Sequence, residues 1–110
     1  MQAIKLEIPA RYEDGERFKT IANVYMLDPP YMREEYDWEL DDDKVVVHRF
    51  VIASDNSKDE FLNTIPGFTP ETLLFACDSV GHISDWGGIG GGYTHTHESA
   101  FAEIGYEIVT

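Results

Sequence analysis

Ile4, Leu6 and Ile8 alternate with Lys5 and Glu7, a period of two that predicts an opening strand with one buried face. Pro9 ends or bends that strand. Glu13-Asp14-Gly15-Glu16 predicts a turn, because Gly15 takes a positive φ at little cost. Arg17 to Leu27 fits two periods. Phe18, Ile21, Ala22 and Tyr25 recur at helical spacing, whereas Phe18, Thr20, Ala22, Val24 and Met26 alternate. β-Branched and aromatic content favours the strand, which forms an economical hairpin with the first one. Pro29-Pro30 is then expected to stop any regular element.

Tyr36, Trp38 and Leu40 alternate with Asp37 and Glu39, which predicts a half-buried strand followed by a turn at Asp41-Asp42-Asp43-Lys44. Val45 to Ala53 is the most β-prone stretch and reads as a central strand. Val46, His48, Phe50 and Ile52 share one of its faces, and Val45, Val47, Arg49 and Val51 share the other. Both faces are largely apolar, so both are expected to be covered. Ser57-Lys58-Asp59-Glu60 forms a capping box for a short helix with Phe61, Leu62 and Ile65 as its buried stripe, ended by Pro66-Gly67. Thr69-Pro70-Glu71 is a further possible helix start. Against it, Asp78-Ser79-Val80-Gly81 suits a type I turn that joins Thr72–Cys77 to His82–Trp86 in a hairpin. Thr96 caps a helix over His97 to Ile104 that buries Ala100, Phe101 and Ile104, and Gly105 closes it. Tyr106 and Ile108 belong to a last strand. The expectation is one α+β domain over residues 1–110, mainly antiparallel sheet with two short helices.

Composition narrows the class. A chain of 110 residues suits one domain, and 43% hydrophobic with 13% aromatic residues is enough apolar material for a core. The lone Cys77 excludes a disulfide scaffold and a cysteine-based zinc module. The longest apolar run, Leu73 to Cys77, is far short of the roughly 18–20 residues of a membrane span. Met1-Gln2-Ala3-Ile4-Lys5 lacks a signal-peptide pattern, so a cytoplasmic protein is expected.

Charge changes the picture more. The 21 acids and 8 bases give a net charge of -13, which repels nucleic acid and anionic membranes. Residues 1–58 hold 13 acids and all 8 bases, whereas residues 59–110 hold 8 acids and no Lys or Arg. Glu34, Glu35, Asp37, Glu39, Asp41, Asp42 and Asp43 place seven carboxylates in ten positions. A solvated strand face with a polar turn accounts for such a run, and so does adaptation to high salt. The functional alternative is an acidic surface for a basic protein partner, with Trp38 as an anchor.

No complete catalytic set stands out. Gly87-Gly88-Ile89-Gly90-Gly91-Gly92 lacks the Gly-Lys-Ser/Thr ending of a P-loop, and no Lys or Arg follows it to neutralise a phosphate. A flexible or closely packed loop is the ordinary reading. His95-Thr96-His97 would aim two imidazoles at one divalent metal if the segment were a strand, with Glu98, Asp85, Asp78 and His82 as further donors. A cap at Thr96 would instead turn them apart. Cys77 beside Asp78 reads as a small core residue, since an activated thiol needs positive surroundings. No serine lies in a Gly-x-Ser-x-Gly elbow, and the carboxylates are too many to single out an acid/base pair. His48 reads as a satisfied core histidine, and Trp38 and Trp86 as core residues with a polar edge.

Residues 71–87, from Glu71 through Asp78-Ser79-Val80-Gly81 to Asp85-Trp86-Gly87, resemble small acidic proteins of actinobacteria and their phages. The shared features are a strand, an acidic Gly turn and a strand ending in an Asp-aromatic pair. The similarity continues through Tyr93, Thr96, Glu98, Ala100 and Gly105-Tyr106, about a third of the chain. The turn here is less acidic than usual, and the glycine-rich insert is atypical. The resemblance implies a phage or mobile-element accessory protein that binds host proteins, and it implies no chemistry. Three classes therefore stand: a non-enzymatic acidic binding protein needing no cofactor, a divalent-metal protein or small metalloenzyme using His95 and His97, and an assembly protein that self-associates through the Val45–Ala53 strand.

Overall fold

The computed structural model describes residues 1–19, 21–55, 71–93 and 96–109. Six strands and one helix occur among them: β1 (Gln2–Pro9), β2 (Ile21–Asp37), β3 (Asp42–Asp55), β4 (Glu71–Cys77), β5 (Ile83–Tyr93), α1 (His97–Glu103) and β6 (Glu107–Val109). The helix expected after Ser57 and the alternative start at Thr69-Pro70 lie outside the described residues. The strands form one sheet in the order β5-β4-β3-β2-β1-β6. Neighbours are antiparallel except β1 and β6, which run parallel through Gln2–Glu107, Ala3–Ile108 and Ile4–Val109.

Alternation sorts apolar side chains onto two faces. On one, Ala3, Tyr25, Leu27, Val51, Ala53, Leu74 and Ile89 pack with Ala100 and Phe101 of α1 and with Tyr106. On the other, Val24, Ile52, Phe75, Cys77 and Ile83 pack with Ala10, Leu6, Ile8 and Phe18. The sheet curls about this second cluster. Just past β1, the Arg11 N–H donates to the Gly81 carbonyl (2.8 Å) and the Ile83 N–H donates to the Arg11 carbonyl (2.9 Å). The continuation of β1 thereby reaches β5, the opposite edge of the sheet.

Local signals explain the rest. The Arg17–Leu27 ambiguity resolves as strand from Ile21 onward, paired with β1 as expected. The Asp78 carboxylate accepts from the Val80 and His82 N–H groups, and Gly81 has a positive φ of 88°, which sets the β4–β5 turn. Thr96 caps α1, with Thr96 and Ser99 satisfying each other's N–H groups at 2.8 and 3.2 Å. Ile104 is the C-cap and Gly105 follows with φ 91°, as the spacing predicts.

The glycine stretch is strand rather than loop. Gly90, Gly91 and Gly92 pair with Leu74, Leu73 and Thr72 in an edge strand, and a Cβ on Gly91 would overlap the Thr72 carbonyl oxygen. A Cβ on Gly90 would meet the Leu74 and Ile104 side chains at 3.1 and 3.4 Å, so its bare backbone is what lets the α1 end sit close. Close packing, not phosphate binding, accounts for these residues.

Three expectations fail around β2 and β3. Pro29-Pro30 does not end β2, which runs on to Asp37. The prolines occupy an irregularity in which the register with β3 jumps from Met26–Phe50 to Tyr31–His48, so their missing N–H groups leave no gap in the β3 ladder. The Asp28–Pro29 peptide is cis. The strand expected over Tyr36–Leu40 stops at Asp37, and the turn falls at residues 38–41 instead of 41–44. Asp37 causes this, because its carboxylate accepts from the Glu39 and Leu40 N–H groups and pulls the chain round. Finally, β4 pairs with β3 only over residues 50–55; before that stretch His48 is buried on one face, but Val45 and Val47 on the other are 61% and 56% exposed.

Glycine substitutions separate the two constraints on these turns. Gly15 has φ 93° with open space around it, whereas a Cβ on Gly81 would overlap the Pro9 carbonyl oxygen. Gly15→Ala should cost about 1–2 kcal/mol from the backbone alone. Gly81→Ala should cost about 3 kcal/mol or more by the added overlap. Urea midpoints of the two variants check this; equal losses would contradict the closure at Gly81.

Candidate functional site

Residues Tyr31–Asp37 of β2 and Asp42–His48 of β3 form a two-stranded arm. Neither β1 nor β4 pairs with either strand there. The arm is about 20 Å long from its strand rise. With the turn at residues 38–41 that joins its strands, it contains every residue of the expected acidic face: Glu34, Glu35, Asp37, Trp38, Glu39, Asp41, Asp42 and Asp43.

The register divides the arm into two unlike faces. Arg33, Glu35 and Asp37 stand opposite Val46, Lys44 and Asp42. On this face Arg33 pairs with Glu35 at 2.7 Å and Lys44 with Asp37 at 3.4 Å. The Glu39 N–H, with that of Leu40 and the Lys44 ammonium, holds the Asp37 carboxyl below its usual range. Two of the seven acids are thus ion-paired inside the arm. The charge count alone leaves all seven available; the period-two spacing of Arg33, Glu35 and Asp37 is the signal that these two acids share a face with a cation.

The opposite face carries Met32, Glu34 and Tyr36 against Val47, Val45 and Asp43. Met32 is 64% exposed, and none of the six residues is a Lys or Arg. Trp38, 86% exposed at the tip, sets its ring edge-on to Tyr36 with centroids 4.8 Å apart. The Tyr36 hydroxyl donates to the Asp41 carboxylate, which raises the phenol's pKa. Asp41 itself has a positive φ of 51°, a conformation that Asp tolerates better than most residues. Trp38 is therefore no core residue with a polar edge. Trp86 comes nearer to that description: it stacks over Tyr12 and Phe18 at 5.9 and 6.1 Å, meets Phe75 edge-on at 5.5 Å, and donates its indole N–H to Glu13.

The metal reading finds different surroundings. His95 lies outside the described residues. His97 is the first residue of α1, its Nδ1 3.5 Å from the Asn23 amide and its ring edge-on to Tyr25. It borders a pocket of about 400 Å³ whose lining includes Lys5, Asn23, Tyr25, Asp55 and Thr72. Thr96 is the helix cap, so the strand geometry that would align residues 95 and 97 is absent at its second half. Among the described residues no three of His, Cys, Asp and Glu are grouped to hold a metal ion.

His48 is buried in β3, 7% exposed, and stacks against Tyr31 at 6.4 Å. Its Nε2 has no hydrogen-bond partner among the described residues, so it is a core histidine but not a satisfied one. Burial lowers its pKa first, and Arg33 adds to this against Glu35 and Asp85. Burial lowers that of His97 too, opposed by Asp55 and Glu98. Cys77 is buried, and burial, then the Asp78 charge, push its thiol up to about 12. No activated nucleophile exists there.

The self-association reading also changes. Residues 50–55 of β3 are enclosed between β2 and β4, so Val45–Ala53 is not a continuous free edge. No described helix is long and apolar enough to cross a membrane. Comparison with protein-family models, curated proteins and solved structures finds no match to this chain.

Two measurements check these environments. A histidine whose folded pKa lies below its unfolded value of about 6.5 takes up protons on unfolding as pH falls below that value. Stability should therefore drop from pH 7 toward pH 5, and His48→Gln should flatten that slope in urea titrations. An unchanged slope would refute the buried neutral imidazole. Cys77 in the folded protein at pH 8 should react with iodoacetamide on the order of 100-fold or more slowly than in urea. A comparable rate would mean that the thiol is neither buried nor held protonated.

Proposed function

We propose that this is a non-enzymatic acidic binding protein that presents its β2–β3 arm to a basic surface on another protein. One observation carries the reading: the densest run of carboxylates sits at the end of an arm that pairs with no further strand among the described residues, beside exposed Met32, Trp38, Leu40, Val45 and Val47. A run of acids that only keeps a protein soluble needs no such platform, and exposed apolar side chains work against solubility. Glu34, Glu39, Asp41, Asp42 and Asp43 are the acids outside the two arm ion pairs. They supply the steering charge, and Trp38 supplies an aromatic anchor. The buried high-pKa thiol, and the lack of a grouped metal-ligand set among the described residues, favour binding over catalysis. The resemblance over residues 71–106 favours an accessory role in a phage or mobile element, acting on a host protein in the cytoplasm.

Pull-down from host lysate tests the proposal, comparing the native protein with a variant neutralised at those five acids. Native protein should retain basic proteins at low salt and release most of them as NaCl rises to 0.5 M, and the variant should retain few. The same retained set with the same salt dependence in both would overturn it.

A further inference from the structure

The two faces of the arm differ in what they leave unmet. On one, the cations Arg33 and Lys44 neutralise Glu35 and Asp37 at 2.7 and 3.4 Å. On the other, the Met32–Val47 and Glu34–Val45 pairs and Tyr36 opposite Asp43 put apolar surface beside carboxylates that have no ion pair among the described residues. Cross-strand neighbours of this kind lie about 4.5–5.5 Å apart, so each carboxylate stands within one side chain of an apolar contact. A lone charged patch would attract any cation. Apolar contacts among the carboxylates add a second requirement.

We propose that the Met32–Tyr36–Val45–Val47 face is a docking surface for a cationic amphipathic segment of another protein. This rests on the binding function proposed above and names the chemistry of its partner. The segment's apolar side chains cover Met32, Val45 and Val47, and its Lys or Arg residues meet Glu34 and Asp43. Charge selects this occupant over a second copy of the chain. Two such faces brought together would oppose Glu34 and Asp43 to their own kind, with no Lys or Arg on the face to compensate. Covering the apolar residues is what turns electrostatic encounter into specific binding, because exposed charge pairs alone contribute little affinity.

The experiment uses two synthetic peptides of equal length and charge, one alternating Lys with Leu and one alternating Lys with Ser. Binding is read from Trp38-dependent fluorescence and from backbone amide shifts of residues 32–47. The Lys/Leu peptide should bind the native protein at least tenfold more tightly than the Lys/Ser peptide. The exposed cross-strand pair changed by Met32→Thr and Val47→Thr should remove that preference by weakening Lys/Leu binding about tenfold, to the level of the Lys/Ser peptide. Threonine keeps strand propensity, and circular dichroism confirms that the variant is folded. Val45→Thr alone should remove part of the preference and serves as the second variant.

Equal binding of the two peptides to native protein, with binding lost on neutralising the five acids, would overturn the docking surface and leave the proposed acidic binding function standing. Binding of neither peptide would overturn both. Concentration-dependent dimerisation of the native protein, abolished by the paired threonines, would assign the face to a second copy and overturn the proposal.

Discussion

The β2–β3 ladder is the interaction on which the rest of the molecule depends. Its strands run 17 and 14 residues, whereas β1 and β4, which flank them, have only 8 and 7. Backbone pairing in the long ladder outlasts its flanking strands, and the excess has to leave the sheet. The inner half of the ladder is enclosed on both sides and buries Val24, Tyr25, Val51 and Ile52. The outer half becomes the arm. Since an isolated two-stranded ribbon is marginal in water, the arm relies on continuity with the buried half and on its own cross-strand pairs.

The root of the arm is also where the C-terminus is tied in. The Tyr106 hydroxyl donates to the Pro29 carbonyl at 2.6 Å, and its ring meets Tyr31 edge-on at 6.3 Å. Tyr106 follows Gly105, just past the Ile104 C-cap of α1, and precedes β6, which pairs with β1. One buried phenol thereby links the register jump in β2, the helix end and the edge of the sheet. The prolines that a linear reading takes as a stop serve as the joint between core and arm, because they sit where no N–H is asked of them. Burial of apolar surface holds the inner sheet, whereas hydrogen bonding and exposed charge shape the outer ribbon.

Individual residues show what was legible. The hairpin turn at Asp78–Gly81, the Thr96 cap and the Gly105 closure follow from side-chain chemistry acting within a few residues, so they are readable in the linear order. The turn falls at residues 38–41 and not at the triplet of aspartates, because Asp37 competes with that triplet and its two backbone hydrogen bonds decide the outcome. Half-buried places for Trp38 and Leu40 follow from alternation only if one of the two faces is covered. Alternation reports only that two faces differ. Whether anything packs on either one depends on the lengths of strands far away in sequence. The glycine run presents the reverse case: its composition suggested looseness, yet the neighbouring carbonyl of Thr72 and the Ile104 side chain require bare backbone there.

By itself the sequence determined the mostly antiparallel sheet, the helix behind Thr96, an inert Cys77 and the concentration of acid between Glu34 and Asp43, because each rests on periodicity, on a local cap or turn, or on a sum of charges. Only the tertiary structure decided that the acids ride on an arm, that among the described residues Glu35 and Asp37 are ion-paired while Glu34 and Asp43 are not, and that Met32, Val45 and Val47 stand exposed. Those facts follow from register and from where β1 and β4 stop, which are long-range quantities that no local pattern encodes.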